Sequence, residues 1–295
     1  MNILILTPLY KISGRESLER NTEVIHHFAK YWVNEPDVNV QVVNTYLNPG
    51  RNLLFLLKKG ELKKYFTPFD YEVDGVKVHL VEVQQIPFQS KFWEFQNKTI
   101  HKAIKDVTES FKPDVILAHF PVRYTGMIDR VCENIPKIAV MHYTDLWISQ
   151  KHVHQVESIG SKFDVTFTRS KSLLEESKKL GIKNLSDFIV YSGVPYAESR
   201  RSADIAFSKD KPVKLLYVGK LIERKHLDYV IKAMGQLKKE KNLTLTVVGE
   251  GPEKQRFEEL SKKYGIEGQV RFIGKLTREE VYRAMGDADI FIMPS

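Results

Sequence analysis

The sequence predicts an α/β protein of two consecutive doubly wound domains, because strand-like and helix-like segments alternate along most of its 295 residues. Two further observations agree. The length suits two medium domains, and a polar, aperiodic stretch at 196–212, with Arg200-Arg201 and Lys209-Asp210-Lys211-Pro212, separates two such series. The expected organisation is an N-terminal domain over 1–195, a linker over 196–212 and a C-terminal domain over 213–295.

In order, the first series opens with a strand at 2–6 and a helix at 16–33, where apolar residues recur at helical spacing. A strand at 38–43 follows, then a hairpin at 71–78 whose Asp74-Gly75 supplies the positive φ angles of a tight turn. The alternation resumes with helix 92–110, strand 114–118, helix 122–133, strands 137–141 and 164–167, helix 170–180 and a closing strand at 188–191. The second series reads strand 213–218, helix 227–239, strand 243–248, helix 253–264, strand 270–273, helix 278–286 and strand 290–293. It stops at Met293-Pro294-Ser295 directly after a strand, so the second domain is expected to be incomplete and the chain truncated. In paired sheets of this kind, ligands are expected at the carboxyl ends of the strands, in a cleft between domains.

Composition narrows the function classes. Hydrophobic residues make up 42% and charged residues 28%, which supports a packed core rather than a disordered chain. The longest apolar run, residues 53–57, is far too short to span a bilayer, and the N-terminus lacks the basic region of a secretory signal. The expected location is cytoplasmic. The single cysteine, Cys132, reads as a buried, inert thiol in a reducing compartment. The net charge of +8 admits an anionic partner, yet neither half carries the dense basic stripe of a nucleic-acid binder.

Residues 218–225, Val-Gly-Lys-Leu-Ile-Glu-Arg-Lys, follow a strand and lead into a helix. Backbone amides and the side chains of Lys220 and Lys225 would then converge at the positive end of a helix dipole, an arrangement suited to a diphosphate; the alternative is a solvated basic turn. A second strand-end turn, Gly249-Glu250-Gly251-Pro252, would let a ligand approach the backbone, although any strand-to-helix turn can use glycine. His119 and His142 each stand at a strand end, where histidine is also a common structural residue. His152 and His154 lack the acidic or cysteine company of a metal site. Residues 51–66 interleave five basic residues and one acid with apolar side chains. They resemble an interfacial segment that docks on anionic lipid, or equally an amphipathic helix with a wet basic face.

Taken together, Tyr217-Val218-Gly219-Lys220-Leu221 with Lys225, Val248-Gly249-Glu250-Gly251-Pro252, residues 270–274 and Ala288 to Ser295 resemble, in order and spacing, the donor domain of family 4 glycosyltransferases. The first domain is similar more loosely, through Thr7-Pro8, Gly14, the 74–76 hairpin, Pro113-Asp114, His119, His142 and Ser192-Gly193-Val194. The resemblance implies a GT-B architecture of two Rossmann-like domains. It also implies transfer of a hexosyl-type sugar, with retention of configuration, from a nucleotide-diphosphate sugar to a glycan or lipid-linked acceptor in polysaccharide biosynthesis. No metal or other cofactor is required in such a family. Lys225 matches the lysine, and Lys220 the usual arginine, that hold the donor diphosphate; Ile273 falls where a backbone group meets the nucleotide base. Gly14 matches one of two adjacent loop glycines that contact phosphate, with Arg15 in place of the second. His142 matches the histidine that positions the acceptor or transferred sugar. The family continues beyond Pro-Ser into a segment with two glutamates, positions absent from this sequence. The rival readings are a non-catalytic nucleotide-sugar binding or assembly subunit and, last, a nucleic-acid binder. An acceptor-bearing membrane would place the protein peripherally at the inner face through 51–66.

Overall fold

The structure is a computed structural model that describes residues 1–12, 23–48, 69–84, 91–149, 158–192, 211–239 and 242–294. Two compact units emerge, Met1–Val194 and Pro195–Ser295.

In the first unit, β1 (Asn2–Thr7) is central and almost wholly buried, as expected of a strand covered on both faces. Its side chains alternate between two cores. Leu4 and Leu6 join Ile100, Ile104, Ile116 and Met127 on one face. Ile3 and Ile5 join Ile25, Ala29, Val40 and Val42 on the other. The remaining strands of this sheet are β2 (Asn39–Asn44), β4 (Phe69–Val73), β5 (Val76–Leu80), β7 (Val115–His119), β8 (Lys137–Met141), β9 (Val165–Thr168) and β10 (Leu185–Ile189), in the order β10-β9-β8-β7-β1-β2-β5-β4. All pairings are parallel except β4 against β5, the expected hairpin, where Asp74 (φ 50°) and Gly75 (φ 77°) form the turn.

That hairpin is tied to the loop after β1. His26 on α1 (Val24–Val33) meets Tyr10 Oη through Nδ1 at 3.0 Å and the Asp74 carboxylate through Nε2 at 2.7 Å. These contacts from His26, with those from Lys11, hold the Asp74 carboxyl well below the usual range.

The other helices of this unit are α2 (Lys91–Phe111), α3 (Ile128–Val131), α4 (Tyr143–Ser149), α5 (Ile159–Lys162) and α6 (Lys171–Lys179), the last capped by the Ser170 side chain on Leu173 N–H. The structure corrects the sequence in several places. The expected helix at 122–133 is instead a 3-10 turn, Pro121–Arg123, followed by turns and the single helical turn of α3. Phe120 adopts a left-handed conformation (φ 59°) just before Pro121. Separate turns then bury Val122, Tyr124, Met127 and Ile128. The last strand is Leu185–Ile189 rather than 188–191. It pairs with β9 through an irregular register and leaves Phe188 and Tyr191 exposed, so these aromatics mark an edge and not a core. Helices α4 and α5 and the short pair β3 (Leu47–Asn48) with β6 (Val83–Gln84) were not anticipated. Of the expected helix 16–33, the described part begins at Val24, and the interfacial candidate 51–66 lies outside the described residues.

The second unit is a parallel sheet in the order β13-β12-β11-β14, built from β11 (Val213–Val218), β12 (Leu243–Val248), β13 (Val270–Gly274) and β14 (Ile290–Phe291). Helices α7 (Leu227–Leu237), α8 (Lys254–Lys263) and α9 (Arg278–Asp287) alternate with them. Leu215, Tyr217, Leu245 and Val247 on the strands pack with Leu227, Ile231 and Met234 on α7 and Phe257 on α8. The start of α9 is set by a reciprocal capping box between Thr277 and Glu280.

Candidate functional site

Each unit gathers polar groups at the carboxyl ends of its parallel strands, the position where open α/β sheets bind ligands.

In the second unit, the loops after β11 and β12 are laced together by their main chains. Gly219 N–H donates to Val248 C=O at 3.0 Å, Leu221 N–H to Glu250 C=O at 2.9 Å, and Glu253 N–H to Leu221 C=O at 3.1 Å. The loops approach so closely that a Cβ at Gly249, itself at φ +134°, would sit 1.9 Å from the Gly219 carbonyl oxygen; one at Gly251 would sit 2.2 Å from that of Leu221. Glycine is needed at 249 for this crossing. The space expected to admit a ligand at its Cα is filled by the Gly219 carbonyl.

The phosphate cradle also differs from expectation. The amides of Gly219, Leu221, Ile222, Lys225 and His226 all donate within the protein. After β11 comes a 3-10 turn, Glu223–Lys225, then His226 in a left-handed conformation (φ 52°), and only then α7. Lys225 therefore precedes the long helix instead of lying on its first turn. What this loop offers an anion is side-chain charge, from exposed Lys220 and half-buried Lys225, on a backbone fixed by its own hydrogen bonds and by Tyr217 Oη donating to Lys220 C=O at 3.3 Å. On β13, Phe272 pairs with Val247 and Gly274 with Val248, which leaves Ile273 as the extra residue of a bulge, 38% exposed.

In the first unit, His119 ends β7, His142 follows β8 and Arg169 follows β9, three adjacent strands. The structure brings the two histidines together, with His119 Nδ1 and His142 Nε2 3.0 Å apart. The Phe120 ring stacks on the His142 ring at 3.8 Å between centroids. Burial, then the charge of Arg169, brings the His142 imidazole down to about 3, and burial holds His119 well below its ordinary range, so both rings are neutral at neutral pH.

Two residues here were missed by sequence reasoning. Asp145, buried on α4, accepts the His142 backbone N–H at 2.8 Å and also that of Val122, so one carboxylate fastens the loops after β7 and β8. Burial pushes its carboxyl up to about 7 despite these two bonds. No start signal preceded α4 in the sequence, since the residue at its N-cap is His142 and not Ser, Thr, Asp or Asn. Arg169 was findable by the strand-end rule that singled out the histidines. Its guanidinium lies over the Phe28 ring at 5.7 Å from the centroid.

Gly14, His152 and His154 lie outside the described residues. Among the described residues, no group of three or more His, Cys, Asp or Glu could hold a metal ion, and no helix is long and apolar enough to cross a membrane. Cys132 is buried, and burial raises its thiol to about 11, in keeping with an inert cysteine.

Comparison with known proteins places this geometry. Residues 199–295 match the family model described as "Glycosyl transferases group 1", so the chain carries a domain of that group. A glycogen synthase of Mycobacterium tuberculosis is 27% identical over 203 residues, which cover 63% of this chain and 47% of that protein. The putative colanic acid biosynthesis glycosyltransferase WcaL of Salmonella typhimurium is 32% identical over 210 residues, covering 68% of this chain and 51% of that one. The chain thus spans about half the length of these curated relatives. Among solved structures, Anabaena HepE in complex with UDP and glucose superposes with a TM-score of 0.59 at 15% identity, covering 100% of this chain and 74% of that one. The α/β fold with its parallel sheets is that of GT-B glycosyltransferase structures.

Proposed function

We propose that the chain acts in sugar transfer from a nucleotide-diphosphate donor to a glycan or lipid-linked acceptor, with retention at the anomeric carbon. The observation that carries this reading is the strand-end lysine pair of the second unit, set on a laced backbone inside the glycosyl transferases group 1 match. Lys220 and Lys225 hold the donor diphosphate and offset the charge that grows on it as the sugar leaves. Ile273, at its bulge, faces the nucleotide base. Gly249 contributes by letting the two loops cross, which fixes the lysine-bearing turn. Gly14, which follows β1 in the sequence, contacts the donor phosphate in this reading. His142, neutral and stacked on Phe120, orients the acceptor or the transferred sugar.

In the reaction, the bond from the anomeric carbon to the donor phosphate oxygen breaks. The acceptor hydroxyl oxygen bonds to that carbon from the same face, and its proton passes to the departing phosphate oxygen. Charge from the two lysines suffices in this reading, and no metal is required. UDP, the nucleotide seen in HepE, is the first donor nucleotide to test.

The test is transfer of labelled sugar by the gene product from a panel of nucleotide sugars. Lys225→Ala should lower kcat/KM by about 10²-fold or more, equivalent to roughly 3 kcal/mol of lost transition-state stabilisation. Unchanged turnover would remove the lysine from the mechanism. Donor binding by the gene product without any transfer would make it a nucleotide-sugar binding subunit.

A further inference from the structure

Arg169 and His119 carry buried polar atoms that the fold leaves unused. Among the described residues, the Arg169 Nε and Nη1 atoms have no hydrogen-bond partner, nor has Nε2 of His119, whose side chain is buried. Among the described residues, no carboxylate forms an ion pair with Arg169. The buried acid close by, Asp145, is engaged by the amides of His142 and Val122. A guanidinium does not lose its charge in a protein, and each buried unpartnered donor costs about 1–3 kcal/mol, so such groups mark a place for an acceptor-rich ligand.

We infer that the carboxyl ends of β7, β8 and β9 form an oxyanion site, in which Arg169 and His119 hold a phosphoryl or carboxylate group of the acceptor. The guanidinium lies over the Phe28 ring, and its Nε and Nη1 donors remain for acceptor oxygens. The anion also sets the histidine tautomers. For His119 to donate from Nε2, its Nδ1 must accept from His142 Nε2–H, which leaves His142 Nδ1 as a hydrogen-bond acceptor for an acceptor hydroxyl. Assigning the anion to the acceptor rests on the transferase reading; the site itself does not.

The experiment is a titration of inorganic phosphate, at constant ionic strength, into the chain labelled with 15N in its histidines. The ring nitrogens of His119 and His142 should shift saturably, with half-saturation near about 1 mM, and Arg169→Gln should weaken this at least about tenfold. Arg169→Lys, which keeps the charge and loses the fork, should fall between the two. Absence of a saturable shift, or equal binding by folded Arg169→Gln, overturns the site. If Arg169→Gln does not fold, the Lys variant decides, and wild-type affinity in it overturns the guanidinium's role. UDP added at saturation should leave the phosphate shifts in place; displacement by UDP would overturn the acceptor assignment and make the anion the donor's. Nucleotide binding that depends on Lys225 is read separately, so either claim can fail alone.

Discussion

The two strand-end sites solve opposite problems with the same sheet geometry. In the second unit the loops after β11 and β12 are laced by main-chain hydrogen bonds, and the charges on Lys220 and Lys225 stand on that frame. In the first unit the candidate side chains sit deeper, His119 and Asp145 buried and His142 half-buried, and all three carry shifted pKa values as a result. A site of the first kind depends on backbone fit and a site of the second on electrostatic balance, so the two should fail differently when perturbed.

The sharpest way to break the comparison is Gly249→Ala. The added Cβ meets the Gly219 carbonyl at 1.9 Å, with backbone on both sides, so the second unit should lose about 3 kcal/mol or more while the first is unaffected. Hydrogen exchange resolved by unit would show it. Next is Asp145→Ala, which orphans two buried amides and frees the loops bearing His119 and His142. A loss of about 2–4 kcal/mol confined to the first unit is expected, measured by denaturant unfolding.

Acidity should separate the units further. Asp145 has a raised folded pKa, so its contribution is full below its unfolded value near 3.8 and is lost as pH rises toward about 7. His26, His119 and His142 have lowered pKa values, so theirs is present above 6.5 and is lost as pH falls. Three histidines oppose one aspartate. The first unit should therefore melt at lower temperature as pH drops from about 6.5 to 4, and Asp145→Asn should steepen that fall by removing the opposing gain. The smallest effect belongs to His226, whose left-handed backbone and ring stack on Tyr229 partly offset each other. His226→Gly should change stability by under about 0.5 kcal/mol, whereas β-branched His226→Val should cost about 1–2 kcal/mol.

The same contrast governs what the sequence could reveal. The strands 137–141, 213–218 and 243–248 have the bounds their apolar runs predict, and the Asp74-Gly75 turn is where its residues require it. The second site was legible because Gly219, Lys220 and Lys225 lie together in one strand-to-helix connection. Its backbone was not, since the amides' partners belong to the next strand-end loop, around Val248 and Glu250. The first site is assembled from residues 119, 142, 145 and 169, whose proximity only strand order creates. Arg169, half-buried, was legible only as a strand-end residue, like the histidines. The helix expected at 122–133 failed because its apolar spacing is equally well satisfied by successive turns after Pro121.

In the proposed function, the second unit binds a nucleoside diphosphate through side-chain charge. The most direct test is a calorimetric titration of UDP into the chain and into Lys225→Ala. Binding should saturate, weaken with salt and fall about 10- to 100-fold in the variant, a loss of roughly 1.4–2.8 kcal/mol. Equal affinity in the two proteins, or no saturable binding to either, would contradict it.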